Sequence, residues 1–341
     1  MSIQSQAPAS TRIIPALSQA AISESLARGA ARRLFHNRAA VLGLAIVCIL
    51  ILMALFAPFV APYDYSQQVL VDNNKVPPWM LTVFPGMRDY ARLSTDYPLG
   101  ADYVGRDLFS RIVYGARVSL TVAFIASSLG LMIGIAFGSL SGYVGGRLDN
   151  FMMRFVDVMY CFPDVLFVIL LMAFFRGSLS EPQPGSVRYA ASTLDAALGG
   201  MLFVLVGIGL TAWHGVARLA RGQVLSVRQM EYVEAARAIG SKDRRIILHH
   251  VLPNILGPLI VVESMAIPQF VALEALLSFI GLGVTPPTPS WGRMIAEGAE
   301  VLRTYPNQAL FPALALAITM FAFNFLGDGL RDALDPRMRG A

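Results

Sequence analysis

Lysine is nearly absent from this 341-residue chain, where only Lys75 and Lys242 occur. A phosphate-binding P-loop needs Gly-Lys-Ser/Thr, so that the ammonium reaches the terminal phosphates. Lys75 follows Asn74 and Lys242 follows Ser241, so the chain is not its own P-loop ATPase. Histidine is also scarce: none of His36, His214, His249 and His250 precedes Glu, which excludes the His-Glu-x-x-His zinc-protease motif. No Gly-x-Ser-x-Gly nucleophile elbow occurs. Cys48 and Cys161 both lie in apolar runs and suggest neither a disulfide nor a metal site. Charged residues make up 14% of the chain. The net charge of +5 does not mark a nucleic-acid binder, because the basic residues flank apolar runs and line no single soluble face.

What fills the chain is hydrophobic: 55% of the residues, with a mean hydropathy of +0.58. The apolar runs are too long and too many for soluble domains. Residues 1 to about 15 contain Ser, Gln and Pro and read as disordered. From Ala16 to Phe35, Leu17, Ile22, Leu26, Leu34 and Phe35 alternate with Arg28, Arg32 and Arg33. That stretch is either a helix lying on the inner membrane surface or a positive flank without defined structure. Six spans are expected at approximately 40–60, 118–140, 155–175, 199–217, 254–281 and 308–327. Each is near the twenty or so residues needed to cross the hydrocarbon. The first follows a long polar leader and is longer than a cleavable h-region, so it reads as an uncleaved span. With the N-terminus inside, 17 of the 27 Lys and Arg residues fall on the inner side and 10 outside. This bias supports N-in and C-in. It makes 1–39 cytoplasmic, 61–117 external, 118–327 a five-helix core with an inner loop at 218–253, and 328–341 a cytoplasmic tail.

Polar residues punctuate this framework. Ahead of the second span, Asp102 and Asp107 sit among Arg106, Arg111 and Arg117; a structural network of ion pairs is the preferred account, a bound ion the alternative. Gly130, Gly134, Gly138 and Gly142 recur every four residues after Ala126. They form a smooth ridge for close helix packing, by default within this chain and alternatively against a second membrane subunit. Arg154 and Asp157 are spaced to pair at i and i+3. Asp164, beside Pro163, is a costly intramembrane acid or the cap of a broken helix. Glu263 and Glu274 are eleven residues apart, so they lie within about 20° of one another on one helical face. They either line a path or hydrogen-bond neighbouring helices.

The most informative stretch is 232–254, YVEAARAIGSKDRRIILHHVLPN, a charged island between apolar runs. Glu231 to Ile239 is rich in helix formers. Gly240 is suited to a left-handed helix end. Ser241 is placed to cap a second helix with Asp243 in its first turn, and Pro253 to interrupt that helix.

Glu234-Ala235-Ala236, Gly240 four residues on, and Leu252-Pro253-Asn254 resemble the EAA loop of membrane subunits of ABC importers. The stretches PLGADYVGRDLFSRIVYGARVSL (98–120), LSFIGLGVTPPTPSWG (277–292) and FNFLGDGLRDALDP (323–336) resemble the C-type permeases of peptide and nickel importers. The resemblance covers about residues 30–337, without the leader and 69–97. It implies an all-α integral membrane protein of the ABC importer permease type in the bacterial inner membrane. By the same resemblance, Glu234, Ala235, Ala236, Gly240, Leu252 and Pro253 form the ATPase-coupling loop. The implied partners are a second permease subunit, two cytoplasmic ATPases that use ATP and Mg, an extracytoplasmic solute-binding protein and membrane lipid. No cofactor on this chain and no nucleic acid are expected. Peptides are the implied solute, with nickel or another small solute as the alternative. An ion-gradient-driven secondary transporter is the rival of another class, kept open by Asp164, Glu263 and Glu274 despite the lack of an internal repeat. A helix-turn-helix DNA regulator at 231–250 fails, because both helices are held close to the bilayer.

Overall fold

A computed structural model describes residues 26–178 and 185–334, and these are predominantly helical. The expected disorder of 1–15, the first part of the 16–35 segment and the end of the tail lie outside the described residues. In order, α1 is Leu26–His36, α2 Arg38–Leu55, α3 Ala57–Val60, α4 Met80–Val83 and α5 Leu108–Val144. They are followed by α6 Gly146–Cys161, α7 Asp164–Ser178, α8 Val187–Ala197, α9 Leu202–Val227, α10 Glu231–Ala238 and α11 Asp243–Ile246. A π turn at Ile247–Val251 leads into α12 Leu252–Phe279, and α13 Trp291–Glu300 and α14 Asn307–Leu334 complete the order. A parallel two-strand pairing of β1 (Lys75–Val76) with β2 (Arg92–Leu93) lies in the segment before α5.

Among the described residues five helices are long and apolar enough to cross a membrane, and the pair α6 and α7, bent by 84° at its break, brings the number to six when counted as one span. The count matches the expectation, but several boundaries move because caps and packing set them rather than hydropathy. The second span begins ten residues before the expected position 118, where the Asp107 carboxylate accepts the Ser110 N–H at 2.7 Å as an N-cap. The third is broken, with Asp164 opening α7 after Pro163. The expected stop at Pro253 is not observed. Asp243–Phe279 runs as one span, and Pro253 stands in the first turn of α12, where a missing N–H costs least. The π turn just ahead takes up the local mismatch.

The glycine ridge packs within the chain, against α9. A Cβ on Gly130 would lie 2.6 Å from Ala212 Cβ, on Gly134 2.5 Å from Val216 Cβ, and on Gly138 2.3 Å from the Ala217 carbonyl oxygen. Only glycine permits the helices to come this close. Arg33 donates to the Ala333 carbonyl at 2.9 and 2.6 Å, so the first and last described helices meet at one face of the bundle. An even number of crossings requires this.

The segment before α5 folds over the opposite face. Val76, Met80 and Met87 form a small core with Tyr305 and Phe311, and Gln308 donates to Asn74 Oδ1 at 2.7 Å. Beneath it lies the expected ion-pair network. Asp102 accepts from Arg106 at 2.6 Å and from Arg111 at 2.5 Å. Glu297 of α13 accepts from Arg111 at 2.8 Å, Arg293 at 2.9 Å and Arg106 at 3.2 Å. Burial pushes the Glu297 carboxyl up, but Arg111, Arg106 and Arg293 more than offset this and hold it below the usual glutamate range. Asp107 caps a helix and takes no part in those pairs. Trp291, fully buried, donates to the Ile112 carbonyl at 3.1 Å and pins α13 to the start of α5.

Candidate functional site

The 231–254 hairpin hangs from the face where the chain's described ends meet. α10 ends in a Schellman motif: Ser241 N–H donates to the Ala236 carbonyl at 3.1 Å and Gly240 N–H to Arg237 at 3.0 Å. Gly240 has φ +80°, the left-handed conformation expected of it. Ser241 is not the cap of the second helix. Lys242 takes the N-cap position without a side-chain cap bond, because Ser241 is drawn back to close α10. Asp243 does stand in the first turn, and its carboxylate accepts the Tyr143 hydroxyl at 2.7 Å.

The hairpin has an inner and an outer side. Val233, Ala236, Ile246 and Val251 are buried in one cluster with Tyr143, Val224 and Val227, joining the hairpin to α5 and α9. Leu252 is half-buried against the same cluster, and Pro253 is exposed. Glu234, Ala235 and Ile239 face outward, and Ile239 is 83% exposed. The Glu-Ala-Ala triplet is therefore split, with Ala236 supporting from below and Glu234 and Ala235 exposed on the outer side. Burial of an apolar knob such as Ile239 would supply up to roughly 1.5–3 kcal/mol to an interface.

Around this anchor lie polar ties that local sequence spacing does not reveal. Arg228 donates to the Gly142 carbonyl at 2.9 Å. Arg221 makes two 2.6 Å bonds to Asp149, which also accepts from Ser141. Arg237 lies 5.9 Å from the Tyr143 ring centroid. A cavity of about 670 Å³ opens between the hairpin and the end of α5, lined by Leu140, Tyr143, Arg237 and Arg244 among others. After the turn at Gly240 to Lys242, the second arm of the hairpin continues directly into the apolar helix Asp243–Phe279.

Both glutamates of α12 are buried against α5. Glu274 accepts from Ser119 and from Ser278, each at 2.7 Å. Glu263 faces Ser127, and its Oε1 has no hydrogen-bond partner. The expected Arg154–Asp157 pair is replaced by a contact across helices: Arg218 of α9 reaches Asp157 at 2.8 Å. The turn of helix between Arg154 and Asp157 could not compete with a guanidinium presented directly by the neighbouring helix. Among the described residues no group of His, Cys, Asp and Glu is arranged to hold a metal ion.

A family model described as the inner membrane component of binding-protein-dependent transport systems matches residues 130–340, well over half the chain. This chain belongs to that family. Within this permease, residues 25–78 also match a model described as the N-terminal TM domain of oligopeptide transport permease C. It is 38% identical over 93% of its length to the oligopeptide transport system permease protein OppC of Bacillus subtilis, covering 92% of that protein. It is 39% identical to the dipeptide transport system permease protein DppC of the same organism, over 93% of this chain and 88% of that one. The glutathione transport system permease protein GsiD of Pectobacterium atrosepticum is 36% identical, over 90% of each. Among solved structures, a chain of the MetNI methionine ABC transporter in inward-facing form aligns with a TM-score of 0.51 at 19% identity. It covers 67% of this permease and 98% of that chain, and it shows the shared helical fold. The permease is thus a multi-pass inner membrane component of the ABC importer type.

Proposed function

We propose that this permease carries peptides, forming one half of a translocation path whose other half is a second, similar permease. The hairpin docks through Glu234, Ala235 and Ile239 into a groove of a cytoplasmic ATPase, and an extracytoplasmic binding protein delivers the solute. The observation that carries the reading is the hairpin itself: an exposed edge on a buried apolar anchor, continuous with a 37-residue span. Closure of two ATPases displaces α10, the Tyr143–Asp243 tie moves the end of α5 with it, and α12 tilts as a lever. The solute class is supported by near-full-length similarity to permeases named for oligopeptides, dipeptides and glutathione.

With neither lysine set in a P-loop, this reading assigns the ATP and Mg to the partner subunits. Purified alone, it should hydrolyse no ATP above background. Reconstituted with both ATPases and the second permease, hydrolysis should rise on adding peptide-loaded binding protein, and labelled tripeptide should enter vesicles only with ATP. Uptake driven by an ion gradient through the isolated chain would instead establish a secondary transporter. This reading puts the hairpin on the cytoplasmic side, so reporter fusions at residue 225 should read inside and at residue 185 outside; an inside signal at 185 would break the six-span arrangement.

A further inference from the structure

The break between α6 and α7 exposes a cluster of mixed charge inside the span region. Arg218 lies 4.2 Å over the Tyr160 ring and bonds Asp157 at 2.8 Å. Tyr160 meets the His214 ring edge-on at 4.2 Å, and His214 Nε2 stands 4.0 Å from the Asp164 carboxylate. His214 is buried, but the side chains of Arg218, Asp157 and Asp164 are 51%, 60% and 50% exposed.

The cluster runs from the middle of α9 toward its inner end, with Arg218 sixteen residues in, roughly 24 Å from Leu202 at 1.5 Å per residue. His214 is twelve residues into α9, or roughly 18 Å from its outer end at 1.5 Å per residue. α7 packs antiparallel on α9, with Phe175 stacked on Phe203 near the outer end and Val168 against Gly207 deeper in. Asp164 is a further turn inward. Half-exposed charges at such depth do not face hydrocarbon; they face water or protein.

The adjoining surface of α9 is bare of large apolar side chains: its open line is Gly215, Arg218 and Gly222. A Cβ on Gly215 would meet only the Tyr160 hydroxyl, at 3.5 Å, and one on Gly222 nothing within 4 Å. Outward surfaces elsewhere carry side chains such as Met132, Phe321 and Ile49, exposed by 69%, 63% and 62%, and the outer side of the break itself carries Val158 and Phe162, exposed by 57% and 53%. A stripe of glycine and arginine has nothing to offer lipid tails.

We propose that the α6–α7 break and the Gly215–Arg218 face of α9 form a solute-contact site in the translocation path, fitted to a zwitterion. The Asp164 carboxylate, held 4.0 Å from His214 and free of any cationic Lys or Arg partner, receives the ammonium of a short peptide. The Arg218 guanidinium, stacked on Tyr160 and sharing Asp157, receives its carboxylate through remaining N–H donors. The polypeptide between the two charged ends lies over Gly215, where the helix surface is bare. This assignment rests on the reading of the chain as a peptide permease.

Two measurements on the complete reconstituted complex test it. In a background with Cys48→Ser and Cys161→Ser, Gly215→Cys should react with a charged methanethiosulfonate reagent, read on this chain by mass spectrometry, while Met132→Cys should not. Trialanine should slow the reaction. Separately, Asp164→Asn and Arg218→Gln should each lower trialanine uptake by about tenfold or more, the loss of one charge-assisted contact. ATPase co-purification should remain intact. N-acetylation of the peptide should reduce uptake by the parent protein and make little further difference to Asp164→Asn; C-terminal amidation should do the same for Arg218→Gln. An unreactive Gly215→Cys in both ATP-bound and ATP-free complexes would show the face covered by lipid or by the second permease and overturn the proposal. Labelling with parental uptake in both charge variants would show a wet surface without solute contact, which also overturns it. If the unsubstituted complex carries no peptide, the peptide reading itself falls and the zwitterion site with it, while the labelling arm still reports whether the face is wet.

Discussion

Gly240 holds φ +80° at the corner of the hairpin, and a Cβ built there would meet nothing within 4 Å. The cost of replacing it is therefore purely conformational. A β-branched residue in the left-handed region is strained by roughly 1–2 kcal/mol. Straightening the turn instead gives up the bonds from Ser241 N–H to Ala236 and from Gly240 N–H to Arg237, worth about 1 kcal/mol each. The two costs are similar, so Gly240→Val should divide between a strained native turn and a re-aimed α10. Native occupancy should fall by about 5–30-fold relative to its competitor. Asn tolerates the left-handed region better than Ala or Val. Uptake should therefore rank Gly and Asn above Ala, and Ala above Val. The bundle itself should be untouched, because the glycine contacts no other element. The assay is retention of the ATPase on affinity-purified permease, read beside ATP-dependent peptide uptake and the amount of permease in the membrane. Normal retention and uptake in Gly240→Val would show that the hairpin is only a connector. A loss equal in Asn and Val would show that φ is not the reason for the glycine.

Three further outcomes follow from the packing. Gly138→Ala places a Cβ 2.3 Å from the Ala217 carbonyl oxygen and should destabilise the α5–α9 pair by about 1–3 kcal/mol, lowering the Tm in detergent. Gly257→Ala, with open space at that position, should leave Tm unchanged or raised; equal effects would remove the ridge argument. Glu297→Gln, which removes the carboxylate shared by Arg106, Arg111 and Arg293 and leaves the first two on Asp102 alone, should cost up to roughly 3 kcal/mol. Because the folded Glu297 carboxyl titrates below its ordinary range, its contribution is full above that range and is lost as pH falls through the depressed value. Acid unfolding of the parent protein should thus steepen below about pH 4.5, and Glu297→Gln should flatten it; identical acid limbs would assign the acid sensitivity elsewhere. Glu274→Gln should impair assembly by disturbing the Ser119 and Ser278 bonds, whereas Glu263→Gln should alter uptake with assembly intact if that carboxylate faces the path. Parental uptake in Glu263→Gln would make both residues structural.

Local patterning carried the sequence reading far. Apolar runs of about the length of a bilayer, the excess of arginine on alternate segments, and a glycine after a run of helix formers are all properties of neighbours in the chain. Hydropathy and backbone conformation respond to such neighbours directly, so the six crossings and the turn at Gly240 were legible. The fourfold glycine spacing announced close packing for the same reason. What it packs against was another matter: Ala212, Val216 and Ala217 on α9 are about eighty residues away, and no local period names them.

Tertiary structure decided whatever depended on which groups compete in space. Asp157 pairs with Arg218 in place of the nearby Arg154 because a neighbouring helix delivers the guanidinium. Ala236 turns inward while Glu234 and Ala235 turn out, since only the packing of Val233 and Ile246 fixes which side of α10 is the floor. Pro253 does not end its helix, because it falls in a first turn that follows a π turn. Charges at the α6–α7 break stay open at the chain's own surface although the segment reads as apolar. Composition alone determined that this chain must live in a bilayer. Helix-to-helix contact determined which of its charges are paired across helices and which stay open at its own surface.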